Sequence, residues 1–299
     1  MNLKEKYNEF CRKAPLQTVQ LSCGPFSYHY YRNPDPKKNV TLITLPGGTG
    51  AGEGMFYLAD YFMPKYSMVF FNYPMQAEDN RATADAVAEL IKTIGATNVY
   101  LLGQSYGGLL AQIIAKEHPG VCRGMILSGT CSLSLDGVGF DGMECISDML
   151  NEKKIRKNLK TDKMLPMSLL FPLTGLLVRK VVPDESMRKT FMGVLEICRP
   201  SMTNDYFYHM DMLLADLRNY FGKHTKEDFL PYAGEVLEFF SETDTTFTED
   251  LKEGLRRVMT DPVIVNDLKG GHLAMLADID RYIAVLDRFI ADRNPDYAG

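Results

Sequence analysis

The 299-residue chain has no apolar run long enough to span a bilayer, and its opening stretch, MNLKEKYNEFCRKAPLQ, is charged throughout without a signal-peptide core. A cytoplasmic location is therefore expected. The six cysteines (Cys11, Cys23, Cys122, Cys131, Cys145, Cys198) form no CxxC pair and show no metal-ligand spacing. A chain of this size needs no disulfide framework, so they read as buried thiols. There is no basic excess either. The formal net charge is -5, which argues against a nucleic-acid partner, and the one dense basic stretch, Lys153 to Lys160, is flanked by acids and reads as a solvated helix face. Internal repeats and low-complexity segments are absent, and nothing in the pattern sets an oligomeric state.

What the chain does have is 45% hydrophobic residues, enough for a sizeable core, arranged as short apolar runs alternating with segments of helical period. That alternation predicts an α/β fold. Two early strands, Leu16 to Ser22 and Phe26 to Tyr31, flank the turn Cys23-Gly24-Pro25 and read as a hairpin. Further strands are expected at Val40 to Leu45, Met68 to Asn72, Val99 to Leu102, Met125 to Leu127, Val236 to Phe240 and Val263 to Asn266. Helices are expected at about Glu53 to Phe62, Asp79 to Ile94, Leu109 to His118, Glu249 to Val258 and Leu276 to Ile290.

From Leu133 to Phe229 the strand signal stops, and helical patterns cover Met143 to Leu159, Leu165 to Val182, Glu185 to Ile197 and Asn204 to Tyr220. A doubly wound, mostly parallel sheet with a helical cap insertion accounts for this order. The expected division is the first part of the sheet core in 1–132, the helical cap insertion in 133–229 and the second part of the core in 230–299.

Gly103-Gln104-Ser105-Tyr106-Gly107-Gly108 lies between an apolar strand and a helix. A tight strand-to-helix turn there lifts the Ser105 side chain out of the sheet, and the glycines leave room for the strained backbone. The free N–H groups and positive end of the following helix stabilise negative charge near Ser105, which suits acyl transfer.

A serine hydroxyl needs a base, and only five histidines exist. His29 falls in a strand, His118 ends a helix, and His209 and His224 belong to the insertion. His272 follows the final strand and a Gly270-Gly271 turn, where a loop can aim an imidazole across the sheet edge. Asp244, in SETD just after the strand Val236 to Phe240, is the favoured acid to orient it; Glu242 is the nearest rival and Asp136 a more distant one. Asp250 reads better as a helix cap. The order Ser, Asp, His matches the α/β-hydrolase arrangement, in which oxyanion donors come from the N–H after the nucleophile, Tyr106, and from the loop after the third strand, Gly48 with Thr49 as second choice. The loop PGGTGAGEG has neither the Gly-Lys-Ser/Thr ending of a P-loop nor a dinucleotide spacing.

With LPGGTG, GQSYGG, SETD and GGH in order at the ends of predicted strands, the chain resembles the α/β-hydrolase superfamily over essentially its full length. FCRKAPLQ, FFNYP, GQSYGGLLAQ and LKGGHLAML resemble its maspardin-like branch. The resemblance implies the doubly wound hydrolase fold and carries Ser105, Asp244, His272, Tyr106 and Gly48 into the matching motif positions. It implies no substrate. The branch's namesake is mainly a binding protein and has asparagine where this chain has His272, so the retained histidine favours an enzyme. Pro46 stands where the HGG version of the oxyanion loop has histidine.

The expected activity is hydrolysis of a small ester or thioester with an apolar part, using no cofactor and no metal. Nine of the 17 methionines fall between 135 and 215, and with Phe171, Phe191, Tyr206, Phe207 and Tyr208 they could line an adaptable apolar pocket or simply pack the cap. An aminopeptidase of the proline-iminopeptidase type is the second enzymatic reading and would need cap carboxylates such as Glu144, Glu152 or Glu196. A binding protein that uses the cap as a docking surface is the non-enzymatic alternative.

Overall fold

Apolar residues at successive positions along the central strands bury both faces of one sheet. In Thr41–Leu45 (β3), Ile43 and Leu45 join one core while Leu42 joins the other, and Val99–Gln104 (β5) divides Leu101 from Leu102 in the same way. This is the pattern of a parallel sheet covered on both sides. The computed structural model describes residues 2–166, 169, 171, 172, 175, 176, 178 and 184–295.

The other strands are Leu16–Leu21 (β1), Gly24–Tyr31 (β2), Ser67–Phe70 (β4), Gly124–Ser128 (β6), Val236–Ser241 (β7) and Val263–Leu268 (β8). The eight lie in the order β1-β2-β4-β3-β5-β6-β7-β8. β1 and β2 form an antiparallel hairpin, β2 pairs antiparallel with β4, and the rest are parallel. The hairpin turn is tighter than expected, because Gly24 and Pro25 already belong to β2 and pair with Leu21 and Gln20.

The helices are α1 (Leu3–Lys13), α2 (Phe56–Phe62), α3 (Asn80–Thr93), α4 (Tyr106–Glu117), α5 (Phe140–Met149), α6 (Glu152–Met164), α7 (Glu185–Cys198), α8 (Asn204–Asp216), α9 (Glu249–Val258), α10 (Ala274–Ala277) and α11 (Ile279–Arg293). α3, α4 and α9 cover one face; α1, α2 and α11 cover the other. Among the described residues no strand falls between Ser128 and Val236, and no helix is long and apolar enough to cross a membrane.

Two helical expectations are corrected, and the N-terminal stretch holds a helix that was not expected. The opening stretch is not merely charged: Leu3, Tyr7 and Phe10 form an apolar stripe on α1, and Asn2 and Glu5 close a capping box at its start. Met143 to Leu159 is two helices, since the Asn151 side chain accepts from the N–H of Lys153 and Lys154 and starts α6 afresh. The C-terminal helix breaks at Asp278, whose carboxylate receives the Lys269 N–H instead of capping its own helix. The expected helix Leu165 to Val182 lies partly outside the described residues. All six cysteines are free; Cys122, Cys131 and Cys198 are buried and the others half-buried.

Candidate active site

β5 ends at Gln104 and α4 begins at Tyr106, so Ser105 alone makes the turn between them. Its φ of 53° and ψ of -117° are rarely occupied by L residues, and its N–H donates to the Ser128 carbonyl at 2.9 Å. The two flanking glycines are required by crowding. A Cβ on Gly103 would lie 2.5 Å from the Gly107 carbonyl oxygen, and one on Gly107 would overlap the carbonyl oxygen of Leu45. The G-x-S-x-G spacing thus follows from how closely α4 approaches the ends of β3 and β5.

β8 ends at Leu268, and Gly270 and Gly271, both at positive φ, turn the chain back over the sheet edge. The Gly271 N–H donates to Ser241 Oγ at 3.1 Å, fixing the loop to the end of β7. His272 then places Nε2 2.9 Å from Ser105 Oγ and Nδ1 2.9 Å from Asp244 Oδ2. With Nδ1–H donating to the carboxylate, Nε2 is left with a lone pair toward the serine hydroxyl.

Asp244 is buried at 4% exposure. Burial alone would raise its carboxyl, but the hydrogen bond and charge of His272 and the bonds from Thr246 outweigh it and hold the group below the usual carboxylate range. The buried Lys252 Nζ donates to the Asp244 carbonyl at 2.8 Å and steadies the backbone of this loop. Glu242 and Asp136 are exposed, and neither meets His272. Asp250 accepts from the N–H of Gly139 and Gly142 at the start of α5, so it caps a neighbouring helix as well as lying in the first turn of its own.

Tyr106 is the first residue of α4; the N–H groups of Gly108 and Leu109 return to the Ser105 carbonyl, while that of Tyr106 precedes any intrahelical bond. Gly48 lies half-buried in the loop after β3, which turns back through a 2.8 Å bond from the Gly50 N–H to the Gly47 carbonyl. Pro46 has no N–H to offer, and its carbonyl accepts from Tyr73 Oη at 2.8 Å.

The remaining histidines serve elsewhere. His29 Nδ1 lies 2.7 Å from the Ala14 carbonyl and His118 Nε2 2.7 Å from Asp85, while burial pulls the buried His209 and His224 down, the latter to about 4. Among the described residues no group of three or more His, Cys, Asp or Glu could hold a metal ion.

Gln104 is a neighbour of Ser105 that motif reading passed over as a variable position. Its Oε1 lies against Gly47, and its Nε2 is 3.4 Å from the His272 carbonyl, so one side chain spans the two loops. Tyr73, within FFNYP, had no role by sequence, and no spacing signal tied it to Pro46.

A cavity of about 70 Å³ lies beside this centre. Gly47 and Gln104 line it together with Leu273 and the apolar side chains of Met55, Phe191 and Val194. Of the cap residues expected in such a pocket, Phe191 is in the wall; Met210 instead packs onto Gly50, Met143 is 45% exposed on α5, and Met167 lies outside the described residues. Glu144, Glu152 and Glu196 are exposed and line no part of it. Glu152 pairs with Arg156 and Arg218, and Glu196 with Arg199.

Comparison with known proteins agrees with this architecture. Residues 40–143 match the family model described as the alpha/beta hydrolase fold. The chain is similar to an alpha/beta hydrolase enzyme from a Medee basin deep-sea metagenome library, with 14% identity, TM-score 0.70, and 92% of this chain and 97% of that one covered. It is also similar to an esterase from Exiguobacterium antarcticum, with 14% identity, TM-score 0.64 and coverages of 92% and 98%. A proline iminopeptidase from Mycobacterium smegmatis matches at 14% identity, TM-score 0.65 and coverages of 93% and 98%. Sheet order, the turn at Ser105 and these likenesses define the chain as an α/β-hydrolase in fold.

Proposed function

We propose that the protein is a serine hydrolase that cleaves a carboxylic ester or thioester through an acyl-enzyme intermediate. The observation that carries this reading is the continuous pair of 2.9 Å contacts from Ser105 Oγ through His272 to the buried Asp244. His272 Nε2 takes the hydroxyl proton as Oγ attacks the carbonyl carbon, and the carbonyl π electrons move onto oxygen. The N–H groups of Gly48 and Tyr106 stabilise that oxyanion. Collapse expels the alcohol or thiol, which leaves with the proton from His272, and a water molecule repeats the sequence on the acyl-Ser105 ester. Asp244 fixes the imidazole tautomer and stabilises the imidazolium.

In this reading residues 133–229 form the cap, and the cavity holds the apolar part of the substrate. Its apolar lining, Met55, Phe191, Val194 and Leu273 among others, suits the apolar part of an acyl group. The absence of a carboxylate from its described wall argues against an ammonium-binding aminopeptidase. The preformed contacts at Ser105 argue against a maspardin-like role in binding alone.

A fluorophosphonate serine probe tests the proposal, with hydrolysis of short-chain p-nitrophenyl esters as the parallel assay. Labelling and turnover in the wild type, both lost in a folded Ser105→Ala protein, are expected; labelling that survives Ser105→Ala would sink it.

A further inference from the structure

Helix α8 reaches both proposed oxyanion donors through buried hydrogen bonds. Near its N-terminal end, Tyr206 Oη donates to the Gly50 carbonyl at 2.8 Å and accepts the Tyr73 N–H at 3.0 Å. Tyr73 Oη in turn holds the Pro46 carbonyl. Gly48 is therefore bracketed by two fixed carbonyls, each two residues away. The helix sits on the loop without a gap, since a Cβ on Gly50, at φ 65°, would lie 2.5 Å from both Met210 Sδ and Tyr206 Oη.

At the C-terminal end of α8, Asn80 Nδ2 donates to the Leu213 carbonyl and to Asp216 Oδ2, both at 2.9 Å, and the Asn80 N–H reaches the same carboxylate oxygen at 2.9 Å. The remaining Asn80 atom, Oδ1, accepts from Tyr106 Oη at 2.7 Å. Asn80 is fully buried, and Tyr106 and Tyr206 are 2% and 3% exposed. Burial also pushes both phenols well up, so they remain neutral donors. Water cannot replace these bonds, and each one lost leaves an unpaired buried group.

We infer that α8 sets the oxyanion hole, with Tyr206 and the Asn80–Tyr106 pair acting as positioning residues that tie one helix to both N–H donors. The inference rests on the proposed function, which makes Gly48 and Tyr106 the donors. Its physical basis is the composition of LPGGTG: three glycines within four residues cannot fix a donor by themselves, so stiffness has to come from outside the loop. A displaced donor weakens binding of the oxyanion and leaves ground-state binding of the ester little changed.

The test compares Tyr206→Phe and Tyr106→Phe with Tyr232→Phe, which deletes a similar buried bond, Oη to the Ala115 carbonyl at 2.9 Å, at the far end of α4. Melting temperature, kcat and KM on p-nitrophenyl butyrate, and inhibition by a phenylboronic acid, whose adduct imitates the tetrahedral oxyanion, would be measured for each. Outright removal of an oxyanion donor costs about 100 to 1000-fold, so misplacing one should cost about 10 to 100-fold in kcat. Boronate affinity should fall in parallel while KM stays within about 3-fold. Tyr232→Phe should lose similar stability at unchanged kcat. If Tyr206→Phe does not fold, Tyr106→Phe decides, because its hydroxyl meets α8 only through Asn80. Unchanged kcat and boronate affinity in these variants, with Ser105 still labelled by fluorophosphonate, overturns the role of α8 alone; a wild type that is not labelled overturns the proposed function and this inference with it.

Discussion

The carbonyl oxygen of Leu45, the last residue of β3, occupies the space that a side chain on Gly107 would need. The contact joins the strand that leads into the proposed oxyanion loop to the first turn of the helix behind Ser105, and Leu45 also pairs with Gly103 in the sheet. A methyl group at 107 must push α4 away from β3. Gly107→Ala is expected to destabilise the fold by about 1 to 3 kcal/mol, the usual cost of overpacking, and to lower fluorophosphonate labelling about 100-fold. Urea unfolding and the labelling rate check the two effects separately, and labelling at the wild-type rate would show that the turn tolerates the shift.

Asp244 and Glu242 stand two residues apart after β7, one buried against His272 and one in solvent. Asp244→Asn should lower kcat by about 1000 to 10,000-fold, because the amide can present N–H to Nδ1 and stabilise the wrong tautomer. Glu242→Gln should leave kcat within about 2-fold, as for most exposed substitutions. Steady-state kinetics on one ester decides between them, and the reverse ranking in folded proteins would move the acid's role to Glu242.

These positions were legible in the sequence because local chemistry marks them. A strand, a glycine-flanked serine and a helix can be read within a dozen residues, and so can a histidine after paired glycines. The mostly parallel sheet follows from the same alternation, whereas the order of its strands does not. Other relationships leave no local trace. Tyr206 meets Tyr73 across 133 residues, and nothing near either announces the contact. Gln104 reads as filler within the motif until its side chain is seen against Gly47. The break at Asn151 was missed because a capping side chain competes with an apolar period that runs through it, and α1 because its charges obscure the Leu3, Tyr7, Phe10 stripe. Methionine content suggested a pocket in the cap, yet Met210 serves instead as the seat of α8 on Gly50.

Glu238, fully buried in β7, has no hydrogen-bond partner for either carboxylate oxygen. Burial lifts its carboxyl to about 8, and the nearby Arg256 offsets only part of that. The folded protein thus holds a proton at Glu238 that the unfolded chain, with an ordinary pKa near 4.5, has released. The stabilising contribution is present below the unfolded value and is lost as pH rises toward and through about 8. Glu238→Gln removes this linkage, so its melting temperature relative to the wild type should rise between pH 5 and pH 9. Parallel melting curves for the two proteins across that range would mean that Glu238 keeps one protonation state throughout.

Phe191, on α7, is the test of the cavity as the seat of the acyl chain. It lines the cavity together with Val194, one turn further along the same helix, and with Gln104, the residue before Ser105. Phe191→Ala should lengthen the cavity and Val194→Phe should shorten it. Each methylene gained or lost in an apolar pocket is worth about 1 to 3 kcal/mol, or roughly 10 to 200-fold in kcat/KM. Across p-nitrophenyl acetate, butyrate, hexanoate and octanoate, the preferred chain should therefore lengthen in the first variant and shorten in the second. Residues that only pack α7 against the core would instead lower the melting temperature and leave the ranking of esters intact, so both quantities must be read on the same preparations. A ranking unchanged in both variants would place the acyl chain elsewhere, while opposite shifts at similar melting temperatures would fix the cavity as the determinant of chain length.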